Sequence, residues 1–259
     1  MTLAADRLTS ELSSLLGDTD PSSVVMAFDG DGTLWSGDVG EDLFRAAMRD
    51  EFLTEEALPA LIAEAERYRV PLSNSVNANV VARTLMAAYL AGHYPERETC
   101  AMMTWCYAGR SLDDVQALAT SVLAEGDLAQ RLHAELTPIL AWSRQRGVRS
   151  VLISASPRVV VQPAGALRGF APSDIAAATP AIEDGHVQPR LVGPVPYAEA
   201  KLSAGWGLFG SARWLAAFGD NVFDIDMLTT AELGIAVRPK PKLAAQLGAL
   251  GLRLLTPQP

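Results

Sequence analysis

Cysteine and histidine are both scarce in this chain. Cys100 and Cys106 are the only cysteines among 259 residues, which argues against a disulfide scaffold and predicts a reduced, cytoplasmic protein. The three histidines, at positions 93, 133 and 186, are scattered, and none has the spacing to a cysteine that zinc sites use. We therefore interpret the histidines as structural or surface residues.

Basic clusters and long apolar runs are also missing. The formal net charge is −9 and no run of lysine or arginine stands out, which argues against a nucleic-acid partner. No apolar stretch approaches the roughly 18 residues of a membrane span. Asp6, Arg7 and Glu11 stand where a signal peptide would need an apolar block, which argues against export. The oligomeric state is not indicated by the sequence.

What the chain does contain is a short apolar run that ends in two closely spaced carboxylates. Residues 24–28 read Val-Val-Met-Ala-Phe and predict a buried strand. Asp29 and Asp31 follow this run, and Gly30 and Gly32 allow a tight turn close to a ligand. Such near carboxylates repel each other unless a cation or a proton lies between them, and Mg²⁺ prefers oxygen ligands of this kind. The stretch predicts a metal-binding turn, with an ordinary polar turn as the alternative.

The rest of the chain divides into a helical stretch and an alternating one. Residues 40–135 show no convincing strand, whereas strands and helices alternate beyond residue 137. The periodicity predicts helices at 3–16, 41–50, 55–69, 75–91, 113–125, 127–135, 138–146, 157–167, 224–231 and 241–250, with a short helical segment around Lys201. It predicts strands at 148–153, 214–218 and 234–237, an edge strand at 252–255 and a hairpin at 182–187. This alternation indicates an α/β protein with a parallel sheet.

Polar residues that directly follow three of the predicted strands suggest one shared site. Asp29 and Asp31, Ser154, and Asp220 occupy these positions, and open parallel sheets bind ligands at the carboxyl edge of their strands. Other catalytic classes lack their motifs, because there is no G-x-S-x-G elbow and no P-loop. Residues 205–210 fit G-x-G-x-x-G, but no strand precedes them, so a dinucleotide site is not indicated.

Phosphoryl transfer fits this set of residues. It needs a nucleophile, neutralisation of charge on the phosphate oxygens and a proton donor for the leaving oxygen. Asp29 can attack phosphorus, Asp31 can act as acid and then base, and Asp220 can share a Mg²⁺ ion with Asp29. Lys201 and Ser154 can hold phosphate oxygens. Taken singly, Lys201 is more simply a surface lysine and Ser154 a helix N-cap.

The order of these motifs resembles the haloacid dehalogenase (HAD) superfamily, and within it the phosphoserine-phosphatase-like branch. The motifs are residues 29–34, Ser154 after a strand, Lys201, and residues 219–224. The resemblance implies a Rossmann-like parallel sheet core (residues 1–36 and 137–259) with an inserted all-helical cap domain (residues 37–136) that selects the substrate.

The resemblance also implies roles for individual residues. Asp29 would be the nucleophile and Asp31 the general acid and base. Mg²⁺ would be held by the Asp29 side chain, the Asp31 backbone carbonyl and Asp220, with Asp224 supporting the metal site or Lys201. Ser154 and Lys201 would bind phosphate, with help from the backbone amides of Gly30, Gly32 and Ala155.

Substrate recognition is expected to involve residues after the first motif and in the helical insertion. By resemblance, Asp38, with Glu41 nearby, would meet a substrate amine, and Arg69 would meet a carboxylate, with Arg83 and Arg67 as further candidates. Trp35, Trp105 and Tyr107 are candidates to line the cleft and attract a cation; for Trp105 and Tyr107 the alternative is a place in the core. Phe223 stands where the phosphoserine enzymes usually have Asn, and Gly30 replaces a usually bulkier residue.

The sequence therefore predicts a Mg²⁺-dependent phosphatase that hydrolyses a small-molecule phosphomonoester through an aspartyl-phosphate. Phosphoserine or a similar amine-bearing phosphate is favoured. The alternatives are a phosphocholine- or phosphoethanolamine-type phosphatase, a phosphotransferase of the same fold, and a non-catalytic module that binds metal or phosphate.

Overall fold

The computed structural model describes residues 2–73 and 77–257, and its centre is a parallel β-sheet. The strands are β1 (Thr2–Leu3), β2 (Val24–Phe28), β3 (Arg149–Pro157), β4 (Ile175–Ala178), β5 (Pro180–Glu183), β6 (His186–Leu191), β7 (Arg213–Gly219), β8 (Leu233–Val237) and β9 (Arg253–Leu255). Seven of them form one sheet in the order β1-β9-β8-β7-β2-β3-β4. All neighbours in this sheet are parallel, while β5 and β6 form a separate antiparallel hairpin.

Helices pack around this sheet and fill the long segment between β2 and β3. The α-helices are α1 (Ala5–Leu16), α2 (Val39–Arg49), α3 (Leu58–Arg67), α4 (Ala78–Leu90), α5 (Glu96–Trp105), α6 (Leu112–Glu125), α7 (Leu128–Arg131), α8 (Thr137–Arg146), α9 (Arg158–Ala166), α10 (Ala200–Phe209), α11 (Ile225–Thr230) and α12 (Pro241–Ala244). Among the described residues, the segment from α2 to α8 contains no strand. The predicted α/β class with a parallel sheet and a helical insertion is confirmed.

The central strand β2 is buried on both faces. Val25 and Ala27 point into one apolar cluster, and Val24, Met26 and Phe28 into the larger one on the other face. This follows from the two-residue period of a strand. The ring of Phe28 stacks on that of Phe218 in β7, with centroids 4.3 Å apart. Packing on both sides holds the end of β2, where the acidic turn begins.

Helix α5 was not predicted, although it lies next to the end of the sheet. It packs against β3 and β6 and buries Thr99, Met102, Met103 and Thr104. Its buried residues mix polar and apolar types, so a simple apolar stripe does not mark them. Pro95 followed by two glutamates in the first turn was the available signal for a helix start.

Several boundaries differ from the predicted ones for physical reasons. Strand β9 is not the sheet edge, because β1 pairs outside it. Strand β4, which reads Ile-Ala-Ala-Ala, has only one of the β-branched or aromatic residues that usually indicate a strand. Helix α12 ends at Ala244, well before residue 250. The predicted helix at 75–91 is described from Ala78 onward, and residues 75 and 76 lie outside the described residues.

The predicted hairpin at 182–187 is present as β5 and β6. Asp184 and Gly185 form its turn with φ of 50° and 77°, the left-handed values that Asp-Gly turns adopt. Within the described residues, no helix combines the length and apolar character needed to cross a membrane.

Candidate active site

The turn after β2 directs two carboxylates into one cavity. The Leu34 amide donates to the Gly30 carbonyl and the Gly32 amide to the Trp35 carbonyl, both at 2.8 Å. Gly32 has a φ of 81°, a value that a residue with a side chain rarely adopts. Asp29 and Asp31 both line the resulting cavity, whose volume is about 70 Å³.

Asp29 lies at the base of this cavity and is almost fully buried, with 7% of its surface exposed. Its Oδ1 accepts a hydrogen bond from Lys201 Nζ at 2.6 Å, and its Oδ2 accepts one from the Thr33 hydroxyl at 3.2 Å. Burial raises the pKa of Asp29 to about 7, although the positive charge of Lys201 acts in the opposite direction. The side chain is therefore fixed at the end of β2, next to a cation.

Lys201 connects the first motif to the acidic loop after β7. Its Nζ also donates to Asp224 Oδ1 at 2.5 Å. The other oxygen of Asp224 accepts the backbone amides of Asp220 and Asn221 at 3.1 and 2.9 Å. Asp224 thus orients both Lys201 and the loop that carries Asp220. Lys201 is buried, so a surface lysine, the simpler alternative, is not what the structure shows.

The buried acidic cluster fits a divalent cation. Asp29, Asp220 and Asp224 each offer an oxygen, and these atoms lie within 4.8 Å of one another. Burial, followed by repulsion from Asp29 and Asp224, raises the pKa of Asp220 to about 7. A side chain at Gly32 would place its Cβ 2.3 Å from Asp220 Oδ2, so the turn must approach the cluster without one. Hard oxygen donors with excess negative charge suit Mg²⁺.

Asp31 stands apart from this cluster and is held by three donors. The Trp35 indole N–H and the Val39 backbone amide both donate to Oδ1 at 2.8 Å. The Ser156 hydroxyl donates to Oδ2 at 2.7 Å. Burial, reinforced by the nearby charge of Asp38, raises the pKa of Asp31 to about 7 despite these hydrogen bonds. A carboxyl group with a pKa near neutrality can both give and take a proton.

Ser154, Ala155 and Ser156 line the cavity at the end of β3. Ser154 is buried, and its Oγ accepts the backbone amide of Ser156 at 3.1 Å. Helix α9 begins only at Arg158, so Ser154 is not its N-cap. The hydroxyl proton of Ser154 can be donated to a phosphate oxygen in the cavity.

The rest of the cavity lining is built from separate parts of the chain. It includes Asp38, Glu96, Cys100, Tyr197, Phe223 and Lys240, and Lys240 Nζ lies 3.4 Å from Asp220 Oδ2. The rings of Tyr197 and Phe223 lie 4.4 Å apart between centroids. Glu96 and Cys100 come from α5, and sequence reasoning missed them together with that helix. No local pattern marks Tyr197.

Several predicted substrate contacts lie elsewhere. Trp35 is fully buried and binds Asp31, so its ring does not line the cavity. Glu41 lies in α2 outside the cavity lining and pairs with Arg45. Arg69 is exposed and also outside that lining. The geometry therefore does not bring Trp35, Glu41 or Arg69 into the lining of this cavity.

The remaining candidates from the helical insertion are also accounted for. Trp105 and Tyr107 are buried in the core, in agreement with the alternative given for them. Arg83 donates to the Met48 carbonyl, and Arg67 pairs with Glu64 at 3.6 Å. Neither of these two arginines lines the cavity.

Comparison with known proteins assigns the family. Residues 26–229 match the family model of haloacid dehalogenase-like hydrolases, and the chain belongs to that family. No curated protein sequence matches it.

Solved structures share the fold at low sequence identity. A protein of unknown function from Bordetella pertussis Tohama I is 20% identical, with a TM-score of 0.67 over 90% of this chain and 98% of that one. A substrate-bound phosphoserine phosphatase is 16% identical, with a TM-score of 0.53 over 89% and 91% of the two chains. A cytosolic 5′-nucleotidase IIIB bound to cytidine is 14% identical, with a TM-score of 0.56 over 98% and 86%.

Proposed function

We propose that this chain is a Mg²⁺-dependent phosphomonoesterase that forms an aspartyl-phosphate on Asp29. One observation carries the proposal: the buried Asp29 carboxylate lies 2.6 Å from Lys201 Nζ, within the cluster formed with Asp220 and Asp224. Lys201 pairs with Asp29 and Asp224, and Asp220 has only the exposed Lys240 at 3.4 Å. A structural role alone does not require three buried carboxylates with fewer cations, since unmatched buried charge is destabilising. The phosphatases among its structural neighbours support the same activity.

The residues of the site divide the reaction between them. A carboxylate oxygen of Asp29 attacks phosphorus, the bond from phosphorus to the leaving oxygen breaks, and Asp31 gives that oxygen a proton. In the second step Asp31 takes a proton from water, which attacks phosphorus and releases Asp29. Lys201 and Ser154 bind phosphate oxygens throughout. Asp29, Asp220 and the Asp31 carbonyl would hold Mg²⁺, with Asp224 behind them. The bound ion would supply positive charge to the phosphate oxygens.

The substrate that we propose is a small amine-bearing phosphomonoester such as phosphoserine. Asp38 and Glu96 add two carboxylates to the lining of the cavity, and an ammonium group on the leaving group would meet them there. The Tyr197–Phe223 pair in the same lining favours a second candidate, phosphocholine or phosphoethanolamine, because aromatic faces attract ammonium groups. We assign residues 37–136 as the cap domain, which supplies Asp38 and Glu96, and residues 1–36 and 137–259 as the catalytic core.

A phosphate-release screen tests the activity and the substrate class together. The panel contains phosphoserine, phosphothreonine, phosphocholine, phosphoethanolamine, a nucleoside monophosphate and p-nitrophenyl phosphate, each with Mg²⁺ and with excess EDTA. We expect release that needs Mg²⁺ and is fastest with an amine-bearing substrate. Release only when an alcohol acceptor is added would identify a phosphotransferase, and no turnover of any ester would indicate a non-catalytic module.

The nucleophile is tested by Asp29→Asn. This nearly isosteric change should reduce hydrolysis of every substrate to background, because an amide cannot form the aspartyl-phosphate. The matched control is Asp226→Asn, which changes an exposed aspartate two residues after Asp224 and should retain full activity. Both variants are compared with the parent by thermal unfolding. Substantial turnover by a folded Asp29→Asn variant would contradict the assignment.

A further inference from the structure

The Asp31 carboxyl group is held by donors from three separated parts of the chain. Trp35 belongs to the motif turn, Val39 begins α2, and Ser156 lies near the end of β3. The two N–H donors share Oδ1, and neither can accept a proton. The Ser156 hydroxyl faces Oδ2, and a hydroxyl can donate to a carboxylate or accept from a protonated carboxyl group. Oδ2 is therefore the oxygen that can carry the transferable proton.

The surroundings leave the Trp35 ring no freedom to turn away from Asp31. Trp35 is fully buried, and its carbonyl accepts the Gly32 amide at 2.8 Å. A Cβ at Gly30 would lie 3.1 Å from Cζ2 of the indole. Gly30 does not have a positive φ, so the space for the ring, rather than backbone conformation, accounts for glycine at this position.

Ser156 is held in a similar way by close packing against α2. A Cβ at Gly40 would lie 2.8 Å from Ser156 Oγ and 3.1 Å from Ser156 Cβ. The absence of a side chain at position 40 thus lets the hydroxyl approach Asp31. Both donors to Asp31 that come from side chains depend on a glycine that makes room for them.

We propose that Trp35 and Ser156 are positioning residues that keep Oδ2 of Asp31 directed at the leaving-group oxygen. The inference rests on the proposed function, in which Asp31 is the proton donor. During formation of the aspartyl-phosphate, the Asp29–phosphorus bond forms and the bond to the leaving oxygen breaks. The proton on Asp31 Oδ2 moves to that oxygen, which departs as an alcohol. Trp35 does not line the cavity. Ser156 does line it, and its hydroxyl donates to Asp31 Oδ2.

The proposal predicts a dependence on the leaving group that a merely structural residue would not produce. An alkoxide leaving group needs the proton, whereas p-nitrophenolate departs readily without it. We therefore measure kcat/KM, which reports the steps up to loss of the leaving group, for p-nitrophenyl phosphate and for the best alkyl phosphate of the panel. General acid catalysis contributes about 10²- to 10⁴-fold, so poor positioning should remove roughly tenfold or more of that contribution.

Trp35→Phe is the main variant, because it removes the N–H and keeps an aromatic ring in the same space. We expect kcat/KM for the alkyl phosphate to fall roughly tenfold or more, and that for p-nitrophenyl phosphate to fall less than about threefold. Ser156→Ala should show the same selectivity, and it serves as an independent test if the Trp35→Phe variant does not fold. Asp31→Asn should show the largest difference between the two substrates.

Trp142→Phe is the matched control. Trp142 is also buried, and its indole N–H donates to Ser13 at 2.8 Å, away from the cavity. This variant loses a comparable buried hydrogen bond and should affect both substrates equally. Equal losses for both substrates in folded Trp35→Phe and Ser156→Ala variants would overturn the positioning role while leaving the phosphatase assignment intact. Failure of the wild-type protein to hydrolyse either substrate would instead overturn the proposed function.

Discussion

Lys201 partly neutralises the negative charge of the buried acidic cluster. Its Nζ contacts Asp29 and Asp224 at 2.6 and 2.5 Å, and all three side chains are buried. The neighbouring carboxylates hold the pKa of Lys201 above its usual range, although burial alone would lower it. Removing one member of a buried ion pair typically costs about 3–5 kcal/mol. Loss of activity on changing Lys201 would therefore combine chemical and structural effects, so gentler changes are more informative.

Gly32 tests the approach of the turn to the acidic cluster without the removal of a charged group. Gly32→Ala should destabilise the fold and abolish phosphatase activity, because the new Cβ would lie 2.3 Å from Asp220 Oδ2 at a residue with a φ of 81°. The unfavourable backbone conformation alone should cost roughly 1–3 kcal/mol. Urea unfolding and phosphate release measure the two effects.

Gly92→Ala separates the backbone cost from the clash. Gly92 has a φ of 77°, and no atom lies within 4 Å of the position of its Cβ. We expect this variant to show a similar backbone cost with unchanged activity. Equal activity in the two alanine variants would show that the approach of the turn to Asp220 does not matter for catalysis.

At the scale of secondary-structure elements, the first turn of α2 joins a structural role to a chemical one. Asp38 is the N-cap of this helix, and its Oδ1 accepts the Glu41 amide at 2.8 Å. The same side chain lines the cavity, and burial raises its pKa to about 6. A capping residue thus also presents its carboxyl group to the cavity.

Two substitutions at Asp38 should separate these roles. Asp38→Asn keeps the cap acceptor and removes the charge, so stability should change little. If the charge binds a substrate amine, kcat/KM for the amine-bearing substrate should fall about 10- to 100-fold, the equivalent of a lost charge-assisted hydrogen bond of 1.5–3 kcal/mol. Asp38→Ala should also lose about 1 kcal/mol of stability with the cap. Urea unfolding and steady-state kinetics with and without an amine on the substrate measure both effects.

The comparison substrate for this pair is p-nitrophenyl phosphate, which has no amine. Its kcat/KM should be nearly the same in the parent and in Asp38→Asn. A parallel fall for both substrates would show that Asp38 acts on the reaction rather than on recognition of the leaving group.

At the scale of the whole molecule, the segment that leads from the insertion back to the sheet also holds the acidic turn after β2. The His133 amide donates to the Leu34 carbonyl at 3.1 Å, and His133 Nδ1 lies 2.7 Å from the Thr33 carbonyl. Since a carbonyl only accepts, Nδ1 carries the proton of the neutral ring. Arg168 also donates to the Leu34 carbonyl, at 3.3 Å. Glu135 forms an ion pair at 2.6 Å with Arg238, which follows β8. Distant parts of the chain therefore meet behind Asp29 and Asp31.

This arrangement predicts a dependence of stability on pH. Burial lowers the pKa of His133 from its usual 6.5. As pH falls below about 6.5 the unfolded chain takes up a proton that the folded chain resists, so this contribution to stability is present above 6.5 and is lost as pH falls through the folded-state pKa. Asp29, Asp31 and Asp220 have raised pKa values and act in the opposite direction. A difference between variants is therefore needed to isolate His133.

His133→Asn provides that difference, because its amide can replace the Nδ1–H donor but does not titrate. As the pH is lowered from 7.5 to 5.5, the free energy of unfolding of this variant should rise relative to that of the parent. His93→Asn, at an exposed histidine, should show little such change. Urea unfolding at both pH values measures the effect. If the difference in free energy of unfolding between the parent and the His133→Asn variant does not vary with pH, the pH-dependent contribution of His133 is ruled out.

Much of the catalytic side of this protein could be predicted from sequence, because its determinants are local. Five apolar residues followed by Asp29 and Asp31 specify a buried strand and an acidic turn within one short stretch. Ser154 and Asp220 also follow strands directly, and parallel strands bring their carboxyl ends to one edge of the sheet whatever the details of packing. The HAD family, the α/β class and the order of the motifs follow from such local patterns.

Only the tertiary structure decided which side chains face these motifs. Glu96, Cys100, Tyr197 and Lys240 reach the cavity from separate segments, and their directions depend on how α5 and the later loops pack. Trp35 follows the motif directly, yet packing against Gly30 turns its indole toward Asp31 instead of toward the cavity. Chain order reveals residues that follow a strand, but it does not reveal which distant surfaces close over them. That depends on the burial of apolar area summed over the whole molecule.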